Sequence, residues 1–345
     1  MTLLQDAHKH SNPLINDNTV TLLWQGLTAP HLISDLHGWE ENPQPLAQLE
    51  KGLWSISFPL ASDAYLEYAF YDPSTKKRFA DPLNNKTIYN GVGGHNQFFY
   101  MPAATVPTPY TKLPADGLRG KLTRHTVDSR YVTTSTSRTV YLYQPPVKQA
   151  VPLLVVYDGL DYLRRGRLAA IVDNLIAEKR IQPLALAFTQ SKPQSRTIEY
   201  GCAEPTLGFL LSQVLPLASR ELNLVDYEKH PGAHGVLGAS MGGLMSVFTA
   251  LQLPHVFGKA ISQSGAFILW EHESLAMQMV RHFPRPDLKL WLDCGRLDFL
   301  LDANRKMSAL LVEKGYEVVY QENGGAHNYT TWRNSCAHAL EVIFA

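Results

Sequence analysis

Residues 235–244 read Gly235-Val-Leu-Gly-Ala-Ser-Met-Gly-Gly-Leu244, a run of small residues with one hydroxyl at its centre. The core of the run, Gly238-Ala-Ser240-Met-Gly242, has the spacing G-x-S-x-G. The apolar stretch HGVLG precedes it as a strand, and GGLMSVFTALQ follows it as a helix. A small-residue turn alone would account for the glycines. The strand-before, helix-after setting favours a sharp turn that projects the serine hydroxyl away from a sheet. At that turn a β-carbon two residues to either side of the serine would collide with the neighbouring strand and helix. The helix N-terminus points backbone donors at the negative charge that forms during acyl transfer.

Working outward, the second half of the chain repeats this grammar. From about residue 119, RYVTTS and RTVYLYQPP read as a strand pair. Then PLLVVYDG, PLALAFTQ, GKAISQSG, KLWLDCG and EVVYQEN alternate with helical segments such as RRGRLAAIVDNLIAEKR and ANRKMSALLVEKGY. Continuous apolar strands alternating with helices predict an α/β domain, a mostly parallel sheet covered on both faces. Chemistry in such sheets gathers at the carboxyl ends of the strands.

The first hundred residues read differently. TVTLLWQG, LWSISFPL, YLEYAFYD and NQFFYMP are short, β-rich runs separated by turn clusters such as HGWEENPQP and DPLNNKT. They predict a small β-sandwich. MPAATVPTPYTKLPADG is rich in proline and alanine, as in a semi-rigid connector. The expected division is a β-sandwich over 1–103, a linker over 104–118 and the catalytic domain over 119–345.

A length of 345 residues suits two domains. Lys plus Arg equals Asp plus Glu at 31 each, so charge balance points to neither a nucleic-acid surface nor a polybasic membrane anchor. Cys202, Cys294 and Cys336 have neither metal-ligand nor disulfide spacing. No metal and no cofactor are expected. No apolar run approaches the roughly 20 residues that span a bilayer. The opening MTLLQDAHKHSNPL lacks a basic region followed by an apolar core, so the expected compartment is the cytoplasm. Nothing in the sequence sets an oligomeric state.

A serine nucleophile needs a base, and the base an orienting acid, in the chain order Ser, acid, His for this class of sheet. Five histidines follow Ser240. His255 and His282 fall in helix-to-strand connections at the wrong end of the sheet, and His272 and His338 read as helical. His327, in ENGGAHNYTTW, leaves the last strand at the correct edge and is the expected base. The acid should leave the preceding strand, KLWLDCG. Asp298 lies in the following turn and is expected; Asp293 reads as a structural carboxylate within the strand, and Asp302 as a helix cap. The Met241 amide, one past the serine, and the Leu160 amide, after PLLVVYDG, are the expected oxyanion donors. Gly159 would supply the turn that aims the latter.

Taken together, GASMGG, YDGLDYL, GRLDFLLDANR and GGAHNYTTWR resemble the esterase-D type α/β-hydrolases, in their enterochelin-esterase-like branch. Gly324-Gly-Ala-His327 followed by Trp332-Arg333 resembles that branch's G-G-H stretch, with Ala326 as an insertion. Asp81-Pro-Leu-Asn84, Met101-Pro102 and SDLHGWEENPQPL resemble its N-terminal immunoglobulin-like module. SRTIEY resembles its R-x-x-E-[YL] segment, by which Arg196 and Glu199 either shape the pocket or form a structural salt bridge.

The resemblance implies a small-molecule ester substrate, a catecholate siderophore that is a cyclic triester of hydroxybenzoyl amino acids. A ferric catecholate is polyanionic, so Arg164, Arg165, Arg196 and Arg333 are candidate binders. Tyr162, Tyr200 and Trp332 are candidates to pack on catechol rings, with a core role as the competing reading of Trp332. A feruloyl or acetyl esterase acting on decorated polysaccharide is the rival within esterases. A non-catalytic carbohydrate-binding protein is the rival outside them.

Overall fold

A computed structural model describes residues 5, 7, 9, 11–104, 109–112, 114, 119–130 and 136–345. The chain divides into two compact units. The first comprises Met1–Val106 together with Gly295–Asp298 and Asn323–Asn328; the second comprises Pro107–Cys294, Phe299–Glu322 and Tyr329–Ala345. Among the described residues no helix is long and apolar enough to cross a membrane.

The first unit is built on strands β1 (Leu14–Asn16), β2 (Thr19–Gln25), β3 (His31–Ser34), β4 (Gln44–Pro45), β5 (Ala47–Glu50), β6 (Leu53–Pro59), β7 (Tyr65–Asp72), β8 (Lys77–Phe79), β9 (Thr87–Tyr89) and β10 (His95–Tyr100). They form two sheets, ordered β1-β2-β6-β5 and β4-β3-β7-β10-β9, with β8 added on β7. Alternation along β2 and β6 turns Val20, Leu22 and Phe58 inward, where they meet Leu32, Leu66, Tyr68, Phe70 and Phe99 of the other sheet. The Asp81-Pro-Leu-Asn84 segment is a polar plug in this core. Asp81 accepts from the Tyr68 hydroxyl at 2.6 Å and from Asn12 Nδ2 at 2.8 Å.

The second unit carries β11 (Lys121–Asp128), β12 (Ser137–Gln144), β13 (Leu153–Val156), β14 (Ala185–Phe188), β15 (His234–Ala239), β16 (Phe257–Gln263), the short pair β17 (Ile268–Leu269) and β18 (His272–Glu273), β19 (Lys289–Gly295) and β20 (Glu317–Asn323). The sheet order is β11-β12-β14-β13-β15-β16-β19-β20. β13 to β16 and β19 pair in parallel, whereas β11 and β12 are antiparallel additions at one edge. Every residue of β13, β14 and β15 is buried, which is why these strands read as unbroken apolar runs.

Helices cover both faces of this sheet. They are α1 (Gly159–Arg164), α2 (Leu168–Ala177), α3 (Arg196–Tyr200), α4 (Glu204–Phe209), α5 (Leu215–Glu221), α6 (Met241–Gln252), α7 (Leu275–His282), α8 (Leu301–Glu313) and α9 (Tyr329–Phe344). Leu244, Met245 and Phe248 of α6 pack into one core, while Leu340 and Phe344 of α9 join Leu168 and Ile171 of α2 in the other.

Three expectations need correction. The partner of the RTVYLYQ strand is Lys121–Asp128, not RYVTTS; residues 131–135 of that stretch lie outside the described residues. His272 sits in β18, not in a helix. The two segments 295–298 and 323–328 group with the first unit, although the sequence division assigns them to the catalytic half. Much of the expected linker also lies outside the described residues, with a 3-10 turn at Pro109–Thr111.

Candidate active site

Ser240 stands between β15 and α6 with φ 59° and ψ −123°. A side chain other than glycine rarely holds this conformation, which costs on the order of 1–3 kcal/mol. The surroundings impose it. The Ser240 amide donates to Gln263 O at 2.9 Å, and its carbonyl accepts from Leu244 N and Ala266 N, both at 3.0 Å. The glycines permit it. A β-carbon on Gly238 would lie 2.3 Å from Gly242 O, and one on Gly243 would lie 2.7 Å from Ser262 Oγ.

Met241 opens α6 and Leu160 lies in the first turn of α1. First-turn amides have no partner within their own helix, and neither amide has one elsewhere among the described residues. The loop before Leu160 corrects one expectation. The left-handed residue is Asp158, at φ 50°. Gly159 is required by proximity, since its β-carbon would fall 2.6 Å from Phe188 Cβ.

Arg196 joins these two turns. Its guanidinium holds Asp158 through Nε at 2.9 Å and Nη2 at 2.6 Å, and Nη2 also reaches the Ala239 carbonyl at 3.3 Å. Glu199 pairs with the buried Arg138 rather than with Arg196, and it also accepts from Ser195 Oγ. The R-x-x-E segment therefore forms two separate ion pairs.

Asp298 and His327, the expected acid and base, belong to the first unit. The Asp298 amide closes a turn onto Gly295 O at 3.1 Å, and Arg296 N and Leu297 N donate to Asn323 O and Gly325 O. These bonds zip the two loops together. Gly295 approaches Gly325 so closely that a β-carbon there would lie 2.2 Å from Gly325 O. His327 Nδ1 lies 2.9 Å from Asp298 Oδ2 and 3.1 Å from Oδ1. A carboxylate only accepts, so Nδ1 carries the proton and the tautomer leaves Nε2 as the basic nitrogen. The Asp298 side chain is fully buried and that of His327 is 23% exposed. Asp293 is occupied elsewhere: it accepts from Trp291 Nε1 at 2.7 Å, Gln263 Nε2 at 3.1 Å and Ser335 Oγ at 3.0 Å. Asp302 is exposed beside Arg305, and α8 takes no side-chain cap from it.

The aromatic candidates fold inward. Tyr162 is buried and donates its hydroxyl to Gln263 Oε1 at 2.7 Å; Tyr200 is buried and accepts from the Ser191 amide at 3.1 Å. Trp332 is also buried, with Nε1 donating to Ser264 Oγ at 2.9 Å. Among the cations, Arg165 lies 4.4 Å over the Tyr329 ring and Arg196 is neutralised by Asp158. Arg164 is exposed and Arg333 is half-buried on α9.

A cavity of about 460 Å³ in the second unit adds residues that motif reading missed. Arg124, Lys192, Arg138, Thr126, Ser137 and Thr139 line it, with no carboxylate among its lining residues. Arg124 and Lys192 form no ion pair among the described residues. Their only sequence signal was a lone arginine within β11 and a lone lysine after β14, which is the pattern of any solvated edge.

The Esterase family model matches residues 132–342. The chain belongs to this esterase family. The iron(III) enterobactin esterase of Dickeya dadantii is 25% identical over 285 residues, 74% of this chain and 62% of that protein. The chain thus spans less than two thirds of that relative's length. The solved ferric enterobactin esterase of Salmonella typhimurium superposes with a TM-score of 0.80 at 18% identity, covering 96% of this chain and 95% of that one. A solved ferulic acid esterase gives a TM-score of 0.52 at 15% identity over 65% of this chain and 98% of its own. The expected family and α/β-hydrolase fold, preceded by an all-β region, are borne out.

Proposed function

We propose that this esterase is a serine carboxylic-ester hydrolase in which Ser240 is the nucleophile, His327 the base and Asp298 the orienting acid. The observation that carries the reading is the strained Ser240 at the head of α6, together with the Met241 and Leu160 helix-start amides, which have no acceptor among the described residues. The Asp298–His327 pair supplies the remaining chemistry. Ser240 Oγ attacks the ester carbonyl carbon while its proton passes to His327 Nε2. The developing oxyanion accepts from the Met241 and Leu160 amides, each worth on the order of 3 kcal/mol of barrier. As the tetrahedral intermediate collapses, His327 returns the proton to the leaving alcohol and an acyl-enzyme remains. Water then attacks the acyl carbon, loses its proton to His327 and releases the acid, and Ser240 is re-protonated.

For the substrate, we propose ester bonds of a catecholate siderophore of the enterobactin type, with iron(III) as cargo. A curated enterobactin esterase aligns over 74% of this chain, and a solved one spans both halves, whereas the ferulic acid esterase spans 65%. The cationic, carboxylate-free lining of the 460 Å³ cavity suits an anionic ligand better than a neutral polysaccharide. Arg124 and Lys192 replace Arg196 as the cations available to it.

The test is hydrolysis of a short p-nitrophenyl ester by wild type and Ser240→Ala, followed by product masses from ferric enterobactin, iron-free enterobactin and methyl ferulate. The expected outcome is Ser240-dependent turnover and opening of the catecholate triester. Equal rates in wild type and variant would remove the serine mechanism. Efficient ferulate cleavage with the catecholate untouched would transfer the enzyme to the feruloyl class.

A further inference from the structure

The loops bearing the acid and the base belong to the same compact unit as the β-sandwich, and the bonds responsible can be named. Tyr65 N, opening β7, donates to Gly324 O at 3.0 Å. Gly324 lies so close to the strand that a β-carbon would sit 2.1 Å from Asp63 O. Both Asp63 carboxylate oxygens accept from Arg296 Nη2, and Leu297 packs against the sandwich core. The last bond sits beside the base itself. Asn328 Nδ2 donates to Asp35 Oδ2 at 3.2 Å, and the same oxygen accepts from Glu67 N at 2.9 Å.

Asp35 follows β3 directly, and its own amide donates to Glu67 O at 3.1 Å. One carboxylate oxygen therefore bridges the central strand of a sheet to the residue after His327. Glu67 is itself fixed, taking the Tyr65 hydroxyl at 3.0 Å and Asn96 Nδ2 at 2.8 Å. The site is costly to the carboxylate: desolvation first, then the charge of Glu67, pushes Asp35 well above the usual range, with Asp298 adding in the same direction. A group kept under that penalty is better explained by a task than by packing.

We infer that Asp35 is a positioning residue for ester hydrolysis, holding Asn328 so that the base loop presents His327 to its acid in the reactive tautomer. The β-sandwich is on this account a working support of the Asp298–His327 pair. The inference rests on the reading of His327 and Asp298 as base and acid.

The experiment compares Asp35→Ala, Asp35→Asn, Asn328→Ala and the Asp35→Ala/Asn328→Ala double variant in the full chain. It records kcat and KM for a p-nitrophenyl ester, thermal midpoint, and the low-field Nδ1 proton signal of His327. Because small displacements of a catalytic group cost up to about 100-fold, Asp35→Ala is expected to lower kcat about 10- to 100-fold with KM within about twofold. Asparagine keeps an acceptor oxygen, so Asp35→Asn should stay within about threefold of wild type. Asn328→Ala should approach Asp35→Ala, and the double variant should be no worse than the poorer single one, since the Asp35–Asn328 bond is lost in all three.

A fall in thermal midpoint with kcat and the Nδ1 signal unchanged would overturn the inference, as would losses that multiply in the double variant. The proton signal needs no turnover. If wild type shows no Ser240-dependent hydrolysis, the catalytic reading fails, while the signal still reports whether Asp35 holds the pair.

Discussion

The turn around Ser240 and the pair formed by Asp298 and His327 are built in opposite ways. The first is set by residues 238–243 and the adjoining strand β16: a serine at φ 59°, Gly238 pressed on Gly242, and Gly243 on Ser262. The second depends on distant chain. Arg296 is held by Asp63 and Asn328 by Asp35, across 233 and 293 positions. The Ser240 turn is thus held by its own strand, helix and neighbouring strand, whereas the Asp298 and His327 loops are tied to the β-sandwich. Substitutions at the two places should fail differently.

The largest effect is expected at Asp298→Asn. An amide offers His327 Nδ1 a different hydrogen-bonding face and favours the wrong tautomer, so kcat should fall about 10⁴-fold with thermal stability nearly unchanged. A loss below about tenfold would mean that another carboxylate orients the histidine. Gly238→Ala comes next. Its new methyl would meet Gly242 backbone at 2.3 Å, so about 3 kcal/mol of stability and reactivity of Ser240 toward a fluorophosphonate should go together. The His327 Nδ1 signal should survive. Gly324→Ala, which crowds Asp63 backbone, should do the reverse: it should disturb that signal and lower turnover about 10- to 100-fold. If both variants gave the same signature, the contrast between a local and a distant half would be wrong.

The smallest effect is a pH dependence at the other end of the nucleophile strand. His234 is buried, its Nδ1 accepts from Leu153 N at 3.1 Å, and desolvation followed by the charge of Lys259 lowers its pKa to about 4. The unfolded chain binds that proton more readily, so stability is fully present above about pH 6.5 and falls as pH drops toward 4. The loss is on the order of 3 kcal/mol at most. A thermal-midpoint series from pH 7 to 5 should fall for wild type and be flatter for His234→Asn, and parallel curves would refute the assignment.

Legibility in the sequence follows the same contrast. Ser240 could be read because its requirement for small neighbours is written within five contiguous residues, and the parallel strands because burial on both faces leaves apolar runs. His327 and Asp298 could be chosen from chain order and strand ends. Their grip by Asp35, Asp63 and Tyr65 left no local pattern, since an aspartate after one strand reads as a turn residue. The inward commitment of Tyr162 and Tyr200 was equally hidden: an aromatic near a motif has the same letter whether it faces ligand or core. The reading of Arg196 and Glu199 as one salt-bridged pair fails, because each pairs elsewhere: Arg196 with Asp158 in the turn after β13, and Glu199 with Arg138 of β12.

The proposal that three separated side chains act as one unit is tested most directly by a kinetic cycle on Ser240→Ala, His327→Ala and the double variant, using the p-nitrophenyl ester. Groups that share one step are removed once, whichever is deleted first. All three variants are therefore expected to show the same residual rate within a few fold, several orders of magnitude below wild type. A double variant slower by the product of the two single losses would show that residues 240 and 327 work independently.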